Sequence, residues 1–126
     1  MRMFGFTKSN QKNIIFLCDR HLMGVHGEIH KHRHNFVKQH KIDGRFRDGD
    51  IQISPKNMQI EHDIAAEEID RRAAIRGSGG HRSPFEQPSI SYLPKWQQEI
   101  EVDNDMAIQK LILKCPNCKE RYEKYG

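Results

Sequence analysis

The sequence predicts an all-α fold, a single small domain over residues 1–126 with about three helices joined by long loops. Apolar residues recur at helical spacing between positions 14 and 41. Alanine pairs at 65–66 and 73–74 favour a second helix. A chain of 126 residues with 36% hydrophobic content also has room for only one modest core.

The first predicted helix covers about residues 14–41 and has two faces. A polar stripe lies about 120° round the helix from the apolar face and carries Glu28. Basic residues lie still further round the same helix. We expect the apolar face to bury and the polar stripe to stay open to solvent. The apolar face consists of Ile15, Cys18, Leu22, Val25, Ile29 and Phe36, and the polar stripe of His21, Gly24, Glu28 and Lys31.

The other elements follow from local signals along the chain. Ahead of the first helix, Met3, Phe4 and Phe6 are expected to anchor the amino terminus onto the domain. Residues 41–50 are rich in glycine and charge and predict a loop, and residues 51–55 a short extended piece. A second helix is expected over 60–76, ended by Gly77. After a proline-punctuated loop of about twenty residues, a third helix is expected from a cap at 103/104 to the residue before Cys115.

One run carries a resemblance to a known family. Residues 19–23, DRHLM, followed by Glu28, resemble the pyrimidine-dimer DNA glycosylases, small phage-type endonucleases that excise ultraviolet photoproducts. Weaker similarities follow in the same order at 45–48 (RFRD), 53–55 (ISP) and 121–126 (RYEKYG). The resemblance implies a DNA N-glycosylase with abasic-site lyase activity on damaged or modified bases, first of all pyrimidine dimers, without a cofactor.

The implied chemistry is attack of a primary amine on C1′ of the nucleotide, giving a Schiff base. An α-amino group with a pKa of about 7.7 to 8.0 is about 10% neutral at pH 7, whereas an ordinary lysine is below about 0.1%. By resemblance, the amine is that of Met1, which Arg2 follows as in the family. The alternative is Thr7, whose amine would require cleavage after Phe6.

The resemblance also assigns the other site residues. Glu28 would stabilise positive charge at C1′ and accept a proton during elimination, and His21 would contact phosphate or tune Glu28. Alternatively, Glu28 is a solvated carboxylate paired with Lys31 or His32. Gly27 departs from the family, which usually places a basic residue before the glutamate, and this bears on specificity and activity. The expected DNA contacts are Arg2, Arg20, Lys31, Lys38, Tyr122 and Tyr125, although the tyrosines could instead close the core.

The charge distribution favours double-stranded DNA as the partner. The net charge is +4, and residues 1–50 hold ten lysines and arginines against five acidic residues, with six of the eight histidines. With no apolar run of membrane length and no signal segment, a cytoplasmic monomer without membrane contact is expected. The alternative function is a non-catalytic small basic DNA-binding protein of the same fold, with or without zinc.

The three cysteines leave a second question open. Cys115 and Cys118 form a CxxC pair, half of a zinc knuckle, and Cys18 with His21 could complete a Cys₃His site. We expect no metal and reduced thiols, because a helix would hold Cys18 and His21 in a poor arrangement for one ion. The histidines at 26, 30, 32 and 34 are expected to be surface groups that do not share a helical face.

Overall fold

The computed structural model describes residues 3–47, 50–77 and 85–126 and is predominantly helical. The all-α prediction is confirmed, although the described residues form five α-helices instead of about three. Two-residue strands β1 (Phe46–Arg47) and β2 (Asp50–Ile51) pair antiparallel, and short 3₁₀ helices cover Gln11–Phe16, Asp43–Arg45 and Pro55–Asn57. The helices are α1 (Asp19–Val37), α2 (Met58–Arg76), α3 (Lys95–Glu99), α4 (Asn104–Lys114) and α5 (Pro116–Tyr125).

Helix α1 is shorter at both ends than the predicted helix. Leu17 and Cys18 have extended backbones, with ψ of 131° and 165°, so α1 begins only at Asp19. At its other end, Gln39 has φ of 58°, a left-handed conformation that ends a helix. The apolar periodicity extends across both interruptions because the flanking segments continue to bury apolar side chains, including Ile14 and Ile42.

Helices α1 and α2 pack against each other and run antiparallel. At one end of the pair, Arg72 donates to Asp19 Oδ1 over 2.9 Å. At the other end, the His62 ring lies 4.9 Å from those of His26 and His30. Gly77, with φ of 72°, ends α2 as predicted.

The carboxy-terminal part contains two helices in place of one. Asp103 caps α4, accepting a hydrogen bond of 3.1 Å from Met106 N, and α4 ends before Cys115; both predictions are confirmed. Cys115 has an extended backbone and Pro116 occupies the first turn of α5, where a missing N–H carries no penalty. Helix α5 then packs against the first 3₁₀ helix.

The amino-terminal segment is part of the core, as predicted from its apolar residues. Met3 and Phe6 are fully buried and Phe4 is nearly so. Gly5 has φ of 73°, and a Cβ there would lie 2.3 Å from Val102 O, so only glycine fits. None of the described helices is both long enough and apolar enough to cross a membrane.

Candidate functional site

Glu28 is buried, contrary to the expectation that the polar stripe of α1 stays open. It is 7% exposed, beside the apolar residues that form the buried face. Its Oε1 lies 3.8 Å from Nε2 of His32, which is itself buried. Among the described residues, no donor reaches Oε2. A buried carboxylate oxygen without a partner costs free energy, which makes Glu28 a candidate for a binding or chemical role.

The amino-terminal segment is fixed by a second buried carboxylate, that of Glu61 on α2. Its two oxygens accept hydrogen bonds of 2.9 Å from Phe4 N and 2.8 Å from Phe6 N. Asn104 Nδ2 donates to Phe4 O over 2.7 Å, and Met3 N donates to Gln52 O over 2.9 Å. Burial raises the pKa of Glu61 to about 7, although its hydrogen bonds from the backbone favour the ionised form. Four hydrogen bonds therefore hold residues 3–6 in one position.

Three histidine rings, close in sequence to these two carboxylates, form a cluster between α1 and α2. His26 and His30 flank Glu28 in sequence, and both rings lie 4.9 Å from that of His62, the residue after Glu61. The turn of α1 that carries Glu28 therefore lies level with the turn of α2 that holds the amino-terminal segment.

The expectation that these histidines share no helical face is wrong for the pair at i and i+4. Nε2 of His26 lies 3.2 Å from Nε2 of His30. Each of the three rings offers a nitrogen within 4.8 Å of the others, a spacing compatible with metal binding. Phe85 stacks on His62 at 4.4 Å between ring centroids, so the cluster is also a packed aromatic contact.

The predicted DNA-contacting residues of α1 form one exposed line. Lys31 and Lys38 come 11 and 18 residues after Arg20, which is close to three and five helical turns. All three side chains are exposed. The exposed positions between them along this line are Met23, Gly27 and His34, so the line contains no carboxylate. We call these six residues the basic line. It extends about 27 Å, roughly eight base pairs of B-DNA.

The predicted tyrosines lie on α5 and are partly exposed. Tyr122 is 37% exposed and packs edge-on against Phe16 at 5.0 Å, so it contributes to packing as well as to the surface. Tyr125 is 44% exposed, with the cations of Arg121 and Lys124 over its ring. Met1 and Arg2, the remaining predicted site residues, lie outside the described residues.

His21 faces a cluster of three thiols instead of extending toward Glu28. Its Nδ1 is 3.1 Å from Cys18 Sγ and 3.6 Å from Cys118 Sγ, and Cys18 Sγ is 4.0 Å from Cys115 Sγ. The expectation of a poor arrangement is wrong because Cys18 precedes α1 as its N-cap, where the extended backbone lets its side chain turn toward His21. We call these four residues the Cys₃His cluster.

The Cys₃His cluster has an uneven electrostatic environment. Burial raises the pKa of Cys118 to about 12. Burial also opposes ionisation of Cys115, but hydrogen bonds from Cys118, Asn117 and Cys18 outweigh it and lower that pKa. Burial, with a smaller contribution from Arg20, lowers the pKa of His21, which favours the neutral imidazole that can ligate a metal.

Comparison with protein-family models, curated proteins and solved structures finds no match to this chain. The resemblance to pyrimidine-dimer glycosylases therefore stays a prediction from its motif residues.

Sequence reasoning missed Glu61 and His62. Both fall in a helix whose apolar residues are weakly patterned, and nothing in their immediate surroundings distinguishes them from solvated residues. The one available signal was the apolar start of the chain, since a buried extended segment needs acceptors for its N–H groups.

Proposed function

We propose that this chain is a DNA N-glycosylase with associated abasic-site lyase activity on damaged or modified bases, pyrimidine dimers being the expected substrate. It would act on double-stranded DNA as a monomer, forming a Schiff base through the α-amine of Met1. The single observation that carries the proposal is the burial of Glu28 with one carboxylate oxygen lacking a partner among the described residues.

The clamped segment of residues 3–6 supports the same proposal. Met3 is fully buried, and its N–H donates to Gln52 O. In this proposal the α-amine of Met1 would act from the chain that leads into this clamped segment. The segment and Glu28 also lie at the same height along the α1–α2 pair. His62, which follows the Glu61 that holds the segment, contacts the two histidines on either side of Glu28 in sequence. An amine held near a carboxylate is the arrangement that amine attack at C1′ requires.

The proposed reaction has two stages, excision of the base and cleavage of the strand, followed by release of the enzyme. The neutral amine forms a bond to C1′ while the bond between C1′ and the base breaks, and the electron pair leaves with the base, which takes up a proton. The bound amine then loses a proton, and its lone pair forms a double bond to C1′ as the bond between C1′ and O4′ breaks; O4′ takes up a proton, which leaves the protonated Schiff base of the opened sugar. The Glu28 carboxylate removes a proton from C2′, and the resulting electron pair expels the 3′ phosphate. Water finally hydrolyses the imine and frees the amine.

The basic line supports DNA as the partner. Arg20, Lys31 and Lys38 present three cations on one face with no carboxylate between them, and Glu28 lies about 60° to 80° round the same helix. Phosphate contacts of this kind would fix the register of the duplex without selecting a sequence. Arg2, Tyr122 and Tyr125 are proposed as further contacts, the tyrosines packing against an unstacked base.

The test is borohydride trapping on ultraviolet-irradiated and abasic-site duplexes, which reduces the Schiff base to a stable amine. The wild type, with its amino terminus checked by mass spectrometry, is expected to form a covalent adduct, and acetylation of the α-amine to abolish it. Glu28→Gln should lower the rate of strand cleavage at the abasic site by roughly 10²-fold to 10⁴-fold, because the carboxylate is proposed to remove the C2′ proton. The matched control is Glu67→Gln, an exposed carboxylate on α2. No adduct on either duplex from a protein with a free amine would refute the proposal.

The second candidate is a non-catalytic DNA-binding protein of the same fold. Two observations favour it: Gly27 stands where the family usually has a basic residue, and His21 lies among thiols, not beside Glu28. Such a protein would bind DNA with strong salt dependence and form no adduct, and Glu28→Gln would leave its binding unchanged.

A further inference from the structure

The Cys₃His cluster brings four donor atoms from distant parts of the chain to one point. All four lie within 4.8 Å of one another, and the two pairs of residues are separated by 97 positions. Zn–S and Zn–N bonds of about 2.3 Å and 2.0 to 2.1 Å give tetrahedral edges of about 3.8 Å between sulfurs and about 3.5 Å between sulfur and nitrogen. The separations of 4.0, 3.6 and 3.1 Å fall close to these edges.

Backbone groups around the thiols are oriented to stabilise thiolates. Cys18 N donates to Cys118 Sγ over 3.3 Å, and Cys118 N donates to Cys115 Sγ over 3.4 Å. Hydrogen bonds to ligand atoms of this kind orient a metal site. Cys118 is fully buried and Cys18 nearly so, which keeps two of the three thiols away from solvent.

The segment that carries Cys18 is held in place by two arginines from other helices. Arg72 of α2 donates to Leu17 O over 2.8 Å, and Arg121 of α5 donates to Ile15 O over 2.7 Å. The position of Cys18 relative to α5 is therefore set by groups that are not ligands. A preformed site loses little conformational entropy when an ion enters.

We propose that Cys18, His21, Cys115 and Cys118 bind one Zn²⁺ ion in a closed tetrahedral Cys₃His site that ties the start of α1 to the α4–α5 junction. Three thiolates and an imidazole form a donor set typical of structural zinc. A disulfide is the other use of close thiols, but the 4.0 Å between Cys18 and Cys115 sulfurs is about twice a disulfide bond length. A disulfide would also leave the third cysteine and His21 without a role.

The zinc site has a consequence for the role of His21. An imidazole whose Nδ1 binds zinc cannot also use that nitrogen on a phosphate or on Glu28, so His21 is a structural ligand in this proposal. The ion would also fix α5, and with it Tyr122 and Tyr125, to the end of α1 where the basic line begins.

The first test is the metal content of the full chain purified without chelators from zinc-supplemented cells, measured by elemental analysis and native mass spectrometry. One equivalent of zinc per chain is expected. Replacement by Co²⁺ should give thiolate charge-transfer absorption and the intense visible bands of tetrahedral coordination. A chain that carries no zinc, and takes up none on refolding with zinc under reducing conditions, would overturn the proposal.

Matched variants then locate the ion. Cys118→Ser and His21→Gln should each lower zinc retention against a competing chelator by at least tenfold, whereas His34→Gln, at an exposed position of the same helix, should not. His62→Gln tests the three-histidine cluster. Zinc lost from His62→Gln and kept in His21→Gln would overturn the assignment. If Cys118→Ser does not fold, His21→Gln and the cobalt spectrum of the wild type decide the question.

Discussion

Replacing Gly27 with arginine tests whether the basic line binds DNA. Gly27 is exposed in the interior of α1, between Arg20 and Lys31, and a Cβ there would meet nothing within 4 Å. The residue is therefore not required by packing. Gly27→Arg would place a basic residue directly before Glu28, as in the pyrimidine-dimer glycosylases that the sequence resembles, and it would add a fourth cation to the line.

Two separable effects are expected. Glycine in an exposed helix interior costs about 0.5 to 1 kcal/mol, so the substitution should stabilise the fold and raise Tm by roughly 2 °C to 4 °C. The introduced guanidinium would also lie four residues before Lys31, and this like-charge pair should remove a few tenths of a kcal/mol. On DNA, one further phosphate contact should steepen the slope of log K against log salt concentration by about 0.9.

The control is Gly27→Gln, which has similar helix propensity and no charge. Both variants are expected to gain stability, with the glutamine variant slightly ahead, but only the arginine variant should gain salt dependence. Fluorescence anisotropy of a labelled duplex at several salt concentrations measures the slope, and thermal unfolding measures the stability. Equal salt slopes for the two variants would show that the exposed face of α1 does not contact phosphate.

The remaining predictions concern the clamp on the amino-terminal segment. Gly5→Ala should lower the free energy of unfolding, measured in urea, by about 2 kcal/mol or more, because it combines a left-handed φ with the contact to Val102 O. Gly77→Ala has a similar φ in open space and should cost only about 1 kcal/mol. Equal costs for the two variants would contradict the described contact. Burial raises the pKa of Glu61 from 4.5 in the unfolded chain to about 7 in the folded one. Between these two pH values the folded state therefore keeps a proton on Glu61 that the unfolded state has released. The unfolding free energy should therefore fall as pH rises from about 4.5 to 7, by up to about 3 kcal/mol, and Glu61→Gln should flatten this dependence; an unchanged slope in the variant would assign it to another group.

Local signals in the sequence predicted three of the five described α-helices, namely α1, α2 and α4, and missed α3 and α5. The apolar spacing of Leu22, Val25 and Ile29 identified the buried face of α1, and all three are buried. Gly77 ended α2 and Asp103 capped α4 because a left-handed glycine and an N-cap carboxylate act within a few residues of their own position. The division between α4 and α5 was missed, although Pro116 at the first turn of a helix was a visible signal.

Periodicity determined which residues share a helical face, but the tertiary structure decided what covers each face. Periodicity put Glu28 on the polar stripe, about 120° from the apolar face, and only the packing of the folded chain made that position a buried one. Glu61 acts on Phe4, 57 residues away, and the thiols of Cys18 and Cys115 meet across 97 residues. The sequence alone determined the helical fold and its basic, amphipathic first helix, because these depend on interactions between near neighbours. The sequence also named the four residues of the Cys₃His cluster, but their geometry and the buried carboxylates required the tertiary structure, because they depend on contacts that no local spacing specifies.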